Sequence, residues 1–283
     1  MFIGAHISAA GGLENAPANA KNQGCECYQF FSRPPQGGPA RKITSEDIKK
    51  FQLANQKFGF TNFYIHAPYF INLASSNNRI YHGSISVLRE ELERGSLLGV
   101  KYLMTHLGSA KDLGEKESLK KVVTGLEKIL TDYKGATQFL IEMSAGSGAI
   151  IGDTLEEVAS IIHNSKLIIQ KKLGVCFDTA HAFASGYDLR DAQAIQKTFN
   201  QFDKTIGLKR LKLIHLNDSK VSLGSHADRH EDLGSGQIGL TGFSALIKYL
   251  QKKKLNIDLI LETPTESRRK KDIALLKSFR DKK

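Results

Sequence analysis

The residues of this chain that could do chemistry stand at the ends of apolar runs. Gly174, Val175, Cys176 and Phe177 are followed at once by Asp178 and, three residues on, by His181. A hydrophobic core gains nothing from an acid and an imidazole at that spacing, whereas a metal ion takes both as ligands. The placement recurs. His66, His106, Glu142, Asp178, His215 and Glu262 each close a short apolar segment, at successive intervals of 40, 36, 36, 37 and 47 residues. Asp228 and His230 add a further pair in the polar stretch 217–240. Singly, each has an ordinary explanation. A His at a strand end is commonly a hydrogen-bonded structural residue, and an Asp after a strand commonly caps the next helix, a role open to Asp178. Glu142 and Glu262 fit that account poorly, because a carboxylate after three or four apolar residues is costly unless paired. Nine acids and imidazoles drawn together would repel or stay unsatisfied unless cations held them. Imidazole with carboxylate and no thiolate suits zinc, manganese or iron. Nine ligands exceed one tetrahedral site, so two or three metals sharing a bridging carboxylate account for the count. His6, closing the first apolar segment, is placed to reach a phosphate or to brace a ligand.

Elements must bring these residues to one place. Eight segments read as strands: 2–8, 27–32, 62–69, 102–109, 138–145, 174–181, 211–218 and 259–264. Amphipathic stretches separate them. Thr44 and Asp47 form a capping box that opens a helix closed by Gly59. A second helix runs from Ile80 to Leu98 and stops at Gly99, and KESLKKVVTGLEKIL, TLEEVASIIHNSK and TGFSALIKYLQKKK read as three more. Pro34 to Pro39 is a loop, and 217–240 is a long one of the functional kind, with Asp218 capping or turning it. Strands alternating with helices predict a parallel sheet, and eight units predict closure into a (β/α)₈ TIM barrel, an α/β fold with residues 1–283 as a single domain. The C-terminal strand ends of such a barrel meet at one face, where the six strand-end ligands would converge. The alternative, an open doubly wound sheet binding a dinucleotide, lacks a Gly-rich turn after the first strand. A Ser-His-Asp triad has no G-x-S-x-G elbow.

Composition bounds the rest. No run approaches the roughly 18 apolar residues of a membrane span. The N-terminus has no basic and hydrophobic leader, so neither membrane nor secretion is expected. Cys25, Cys27 and Cys176 read as small buried hydrophobes in a reducing, cytoplasmic compartment. His82 and His163 lie on helices as surface residues, and His226 sits in the long loop without an assigned role. A net charge of +11 and a pI of about 9.4 favour a polyanion as partner.

With these residues in place, the chain resembles the endonuclease IV family, the second family of apurinic/apyrimidinic (AP) endonucleases. GAHISAAGG (4–12), IEMSAGSG (141–148), GVCFDTAHAFASGYDLR (174–190), HLNDSK with DRHEDLGSGQIG (228–239) and LILETP (259–264) carry the resemblance nearly end to end. It implies a (β/α)₈ barrel with three Zn²⁺ ions, for which Mn²⁺ or Fe²⁺ could substitute. His66, His106 and Glu142 would hold the first. Glu142 would bridge to a second, held also by Asp178, His215 and Glu262. His181, Asp228 and His230 would hold the third. The implied reaction is hydrolysis of duplex DNA on the 5′ side of an abasic site, leaving a 3′-hydroxyl and a 5′-deoxyribose phosphate, with trimming of blocked 3′ ends. Glu142, His106, Asp178, His215 and Glu262 would form the catalytic set. The family kinks DNA and flips the abasic nucleotide. Tyr69 and Phe70 stand where relatives push side chains into the duplex, and Arg33 and His6 are the other expected DNA contacts. The second βα loop departs from the family pattern: FSRPPQGGPARK has Arg33 early, Arg41 late and glycines where relatives carry an Arg near a Trp. Leu107 replaces a Pro that often follows the His. A monomer is expected, since one barrel mouth holds every ligand.

Two rivals use the same residues. A metal-dependent sugar isomerase or epimerase would employ Glu142, Asp178, His215 and Glu262, and leaves His181, Asp228, His230 and the charge without a purpose. A DNA-binding protein with structural zinc would need closed coordination, which carboxylate-rich sites do not favour.

Overall fold

The computed structural model describes residues 1–282. In chain order its strands are β1 (Ile3–His6), β2 (Cys27–Phe30), β3 (Phe63–His66), β4 (Tyr102–Thr105), β5 (Gln138–Glu142), β6 (Leu173–Asp178), β7 (Leu211–His215), β8 (Asp218–Ser219), β9 (His230–Glu231) and β10 (Asp258–Leu261). Eight of them close a parallel barrel in the order β1-β10-β7-β6-β5-β4-β3-β2, and β8 pairs with β9 outside it. The helices are α1 (Asn15–Asn22), α2 (Ser45–Phe58), α3 (Asn78–Leu98), α4 (Glu115–Leu130), α5 (Leu155–Asn164), α6 (Leu167–Gln170), α7 (Thr179–Ala184), α8 (Ala192–Thr205), α9 (Gly239–Lys252) and α10 (Glu266–Asp281). The TIM barrel expected from strand–helix alternation is the fold observed.

The pleat of each strand sets the layers. Cys27, Tyr64, Met104, Leu140, Cys176, Leu213 and Ile260 form a separate buried cluster inside the barrel. The alternate residues join the larger core between sheet and helices. Side chains two apart on a strand face the same way. Two residues beyond the seven lumen residues stand Gln29, His66, His106, Glu142, Asp178, His215 and Glu262. One apolar layer therefore plugs the barrel and one polar layer sits directly above it, at the C-terminal end. Strand β1 contributes Gly4, where a Cβ would lie 1.7 Å from the Cys27 carbonyl oxygen, so only glycine lets β1 approach β2 this closely. The three cysteines are free and buried.

Helix boundaries follow local chemistry. The box that opens α2 is present: Thr44 Oγ1 accepts from Asp47 N–H at 3.2 Å, and Asp47 Oδ2 accepts from Thr44 N–H at 2.8 Å. Gly59 closes the helix at φ 76°. Helix α3 begins two residues ahead of Ile80 because Asn77 Oδ1 caps the amides of Arg79 and Ile80. Helices α1, α6, α7, α8 and α10 lie outside the five read from the sequence, and α7 takes over at Thr179 the end of the 174–181 segment read as strand, because Asp178 caps it. Helix α10 buries only Asp272, Ile273 and Leu276 of its 16 residues. The 217–240 stretch is a loop braced by the β8–β9 pair. Its organiser is Asp218, fully buried, whose carboxylate accepts the amides of Gly234, Gly236 and Ile238.

Helix α5 carries a pH-dependent element. Glu157 accepts the Gly152 N–H at 2.7 Å, and burial, with the charge of Asp153 added, lifts its carboxyl to about 7. The folded state thus binds this proton more tightly than the unfolded chain does. The associated stability is complete below the ordinary glutamate range and is lost as pH rises through about 7. Glu157→Gln, which mimics the protonated form, is expected to leave the melting temperature unchanged at pH 4.5 and to raise it by about 2 °C at pH 8, the shift roughly 1 kcal/mol produces in a chain of this size after discounting for partial solvent access. Thermal unfolding at the two pH values checks this; a lower melting temperature at pH 8 contradicts it.

No helix among the described residues is long and apolar enough to cross a membrane.

Candidate metal centre

The polar layer above the barrel plug holds three donor groups. Within each, one ligand atom per residue lies within 4.8 Å of the others: His66, His106 and Glu142; Glu142, Asp178, His215 and Glu262; and Asp178, His181 and His230. Glu142 belongs to two groups and Asp178 to two. Asp228, expected with His181 and His230, stands at the same place, its Oδ1 3.2 Å from His181 Nε2 and 3.5 Å from His230 Nε2. All nine residues singled out in the sequence meet at one mouth, which opens into a cavity of about 810 Å³.

Hydrogen bonds fix which atoms face inward. His66 Nδ1 donates to the Ala67 carbonyl at 2.7 Å, leaving Nε2 toward Glu142 Oε2 at 2.9 Å. His181 Nδ1 donates to the Met143 carbonyl at 3.0 Å, leaving Nε2 toward the mouth. His215 Nε2 donates to Gln29 Oε1 at 2.8 Å, leaving Nδ1 2.8 Å from Glu142 Oε1. Each ring thus spends one nitrogen on a neutral acceptor and aims the other at carboxylates, the arrangement metal-ligating histidines adopt. Asp178 serves twice. Its Oδ1 caps α7 by accepting the His181 N–H at 2.9 Å, and its Oδ2 accepts from Asn217 Nδ2 at 2.7 Å.

Electrostatics show that the site demands positive charge. Burial opposes ionisation of Glu142, yet His106, His215 and His66 outweigh it and hold the carboxyl well below the usual range. Burial also opposes a charged ring at His181, but Asp178 and Asp228 outweigh it and lift the ring to about 10. His181 Nε2 and His230 Nε2 lie 3.2 Å apart, two nitrogens converging on one point beside Asp228. The donor chemistry fits divalent cations bound through nitrogen and oxygen.

Two residues of the site escape the sequence reading. Gln29, fully buried, donates from Nε2 to Glu262 Oε1 at 2.6 Å while accepting from His215. Asn217, also fully buried, links Asp178 to the Glu262 backbone, whose N–H it accepts at 2.7 Å. His6 lies at the mouth, 2.9 Å from Gln29 Nε2 and 3.5 Å from Glu262, and burial lowers its pKa. Tyr69 (67% exposed) and Phe70 stand on the rim after β3. The Tyr69 ring packs edge-on to Phe31 at 5.2 Å, and its amide donates to the Pro35 carbonyl at 3.1 Å.

Arg33, an expected DNA contact, lines the mouth cavity with its side chain largely buried, Nε 2.7 Å from Glu91 and an Nη 2.5 Å from Glu90. Glu91 is fully buried and also holds Ser32 at 2.6 Å and Arg94 at 3.3 Å. This network fixes the guanidinium and clamps the 32–41 loop to α3. Glu91→Leu is expected to destabilise the fold by about 3–5 kcal/mol, because it removes the buried carboxylate shared by Arg33 and Arg94 and leaves Glu90 as the one remaining carboxylate partner of Arg33. Denaturant unfolding measures it, and a loss under about 1 kcal/mol would mean the network is as weak as a surface pair. His82, His163 and His226 are exposed; His226 lies 3.7 Å from Asp153.

Comparison with known proteins agrees with this geometry. Residues 17–279 match the family model described as a xylose isomerase-like TIM barrel. A relative from Nitrosopumilus maritimus named "Probable endonuclease 4" is 40% identical over 95% of both chains. The crystal structure of endonuclease IV from Thermus thermophilus superposes with a TM-score of 0.85 at 29% identity, covering 99% of this chain and 98% of that one. A D-tagatose 3-epimerase-like protein shares the fold at TM-score 0.75 and 20% identity, over 99% and 97% of the two chains. The match over nearly the whole chain makes this protein a member of the endonuclease IV family of AP endonucleases.

Proposed function

We propose that the chain is a DNA-repair endonuclease that hydrolyses the phosphodiester 5′ to abasic sites in duplex DNA, leaving a 3′-hydroxyl and a 5′-deoxyribose phosphate, and that it trims blocked 3′ ends at the same site. The observation that carries the proposal is the shared Glu142: its two oxygens face different donor groups, His66 on one side and His215 on the other. We assign His66, His106 and Glu142 to one zinc ion, Glu142, Asp178, His215 and Glu262 to a second, and His181, Asp228 and His230 to a third. Mn²⁺ or Fe²⁺ would satisfy the same donors. Bound cations would supply Lewis acidity, activating water at neutral pH and neutralising charge that develops on the phosphodiester.

The chain's own residues do the rest. Glu142 sets the spacing of the two groups it joins. The Ala67 and Met143 carbonyls and Gln29 hold three imidazoles in the orientation that binding needs. Tyr69 and Phe70, exposed on the rim, are placed to wedge into the stack beside the abasic nucleotide. With Arg33 tied to Glu90 and Glu91 and Gly37 and Gly38 at the loop tip, gap filling falls to that pair. His6 is placed to reach the DNA from the same side of the mouth, its ring 4.4 Å from Phe31, on which Tyr69 also packs. The sugar-epimerase reading uses Glu142, Asp178, His215 and Glu262 and gives no purpose to the third group, His181, Asp228 and His230. Every donor comes from one chain, in keeping with a monomer, and free buried cysteines suit a reducing interior.

A duplex oligonucleotide with one abasic analogue that resists β-elimination tests the proposal. Incision on its 5′ side is expected, lost after prolonged chelation and restored by zinc. An intact zinc-loaded protein that never cuts the analogue would refute it, and turnover of a ketose in its place would support the epimerase.

A further inference from the structure

The positive charge is unevenly placed at the end of the barrel opposite the metal centre. The segments leading into β4, β5, β6 and β7 (99–101, 131–137, 165–172 and 206–210) contain seven cations and one acid, Asp132. Those leading into the other four barrel strands contain two, Lys253 and Lys254, against Glu26. Strands β4 to β7 are consecutive in the barrel, so the cations share one arc of its N-terminal rim. Two are satisfied internally: Lys172 donates to the Leu130 and Tyr133 carbonyls, and Lys166 pairs with Glu127 at 3.4 Å. Arg210 gives one Nη to the Gln170 and Leu173 carbonyls, which orients it without cancelling its charge. Lys171, Lys209, Arg210 and Lys212 have no carboxylate within ion-pair distance among the described residues. They surround a cavity of about 510 Å³ with apolar Leu173, Ile206 and Leu208 in its wall. The acid in that wall, Asp203, spends Oδ1 on the Leu208 amide at 2.9 Å. Four cations against one acid around a concavity repel one another until a further anion arrives.

The short helix that leads to Lys171 opens on an apolar pair. Leu167 is 76% exposed and Ile168 66%, and among the other large hydrophobic residues described only Tyr69 is comparably bare. Leu167 lies four residues before Lys171 on the same helical turn, so the two project from one face. A nucleic-acid backbone would use the cations but neither the apolar pair nor the concavity. An acidic peptide with an apolar side chain would use all three.

We infer that this rim docks an acidic, apolar-punctuated peptide segment of a partner protein, with its carboxylates on Lys171, Lys209, Arg210 and Lys212 and an apolar side chain against Leu167 and Ile168. The surface lies at the far end of the barrel from the mouth, so partner and DNA can be held together.

Phage-displayed random dodecapeptides selected on the full zinc-loaded chain test this. A class rich in Asp and Glu with one or two Leu or Phe residues is expected. A synthetic member should bind about tenfold more weakly to Lys171→Glu/Lys209→Glu/Lys212→Glu, and several-fold more weakly to Leu167→Ser/Ile168→Ser, with abasic-site incision and circular dichroism unchanged in both. The inference falls if no acidic class emerges, if the peptide binds the charge-reversed variant equally, or if an undamaged duplex binds the wild type at this rim and displaces the peptide, which would make it a nucleic-acid face. Loss of incision bears on the proposed function alone, because none of these residues touches the mouth.

Discussion

Glu142→Gln is expected to lower 5′ incision at an abasic site by at least about a thousandfold, with the protein still folded. The substitution keeps shape and removes charge. One glutamate oxygen lies 2.9 Å from His66 Nε2 and the other 2.8 Å from His215 Nδ1, so both lone-pair edges are committed to separate donor groups. An amide nitrogen cannot ligate, and whichever way the Gln amide is turned it presents N–H to one group. That group loses its anion and the bridge is broken. Elemental analysis should therefore find at least one metal equivalent missing per chain, alongside the lost activity. The fold should survive, because Glu142 sits above the apolar plug formed by Leu140 and its six lumen partners and takes no part in it. Wild-type metal content with wild-type rate would sink the bridging role. Full metal content with a dead enzyme would move Glu142 from ligand to participant in the chemistry.

The sequence is legible where chemistry and periodicity coincide. A carboxylate or imidazole at the end of an apolar strand is conspicuous, and eight strand–helix units leave few ways to arrange it. His66, Glu142, Asp178 and His215 end β3, β5, β6 and β7, and His106 and Glu262 fall one residue past β4 and β10. Asp178 shows that the ordinary and the functional explanations need not compete: it caps α7 with one oxygen and faces the donor groups with the other.

Gln29 and Asn217 escape notice because an amide carries no charge and so raises no suspicion. The signal is nevertheless there. Gln29 stands two residues past Cys27, as Glu142 stands two past Leu140, so the pleat puts it in the ligand layer whatever its type. The partners of Arg33 are hidden for the opposite reason: nothing local reveals that Glu90 and Glu91, on a distant helix, pair with it. Helices α1 and α10 are hard to read because each buries only three residues. Helix α8 is different: Ile195, Phe199 and Phe202 are buried at helical spacing, a stripe that periodicity could have found.

Gln29→Leu is expected to weaken metal retention by about 10- to 100-fold while leaving every proposed ligand in the sequence. Leu has nearly the same volume, so packing changes little. What goes is a pair of opposed hydrogen bonds. Gln29 Oε1 takes the His215 Nε2–H at 2.8 Å and so keeps Nδ1 as the nitrogen that faces Glu142, while Nε2 holds Glu262 Oε1 at 2.6 Å. Without them His215 is left with an unsatisfied buried N–H, at a cost of about 1–3 kcal/mol, and is free to flip or to shift its proton. Competition with a chromogenic chelator reads the affinity directly, without reference to turnover. Incision should fall in dilute zinc and recover most of its rate in excess zinc, which separates a positioning residue from a catalytic one. Gln29→Glu sharpens the test. Its carboxylate would still accept from His215 but would set a negative charge against Glu262 where a donor stood, so it should rescue His215 and not Glu262. Unchanged metal affinity in the Leu variant would show that the barrel walls alone hold His215 in place.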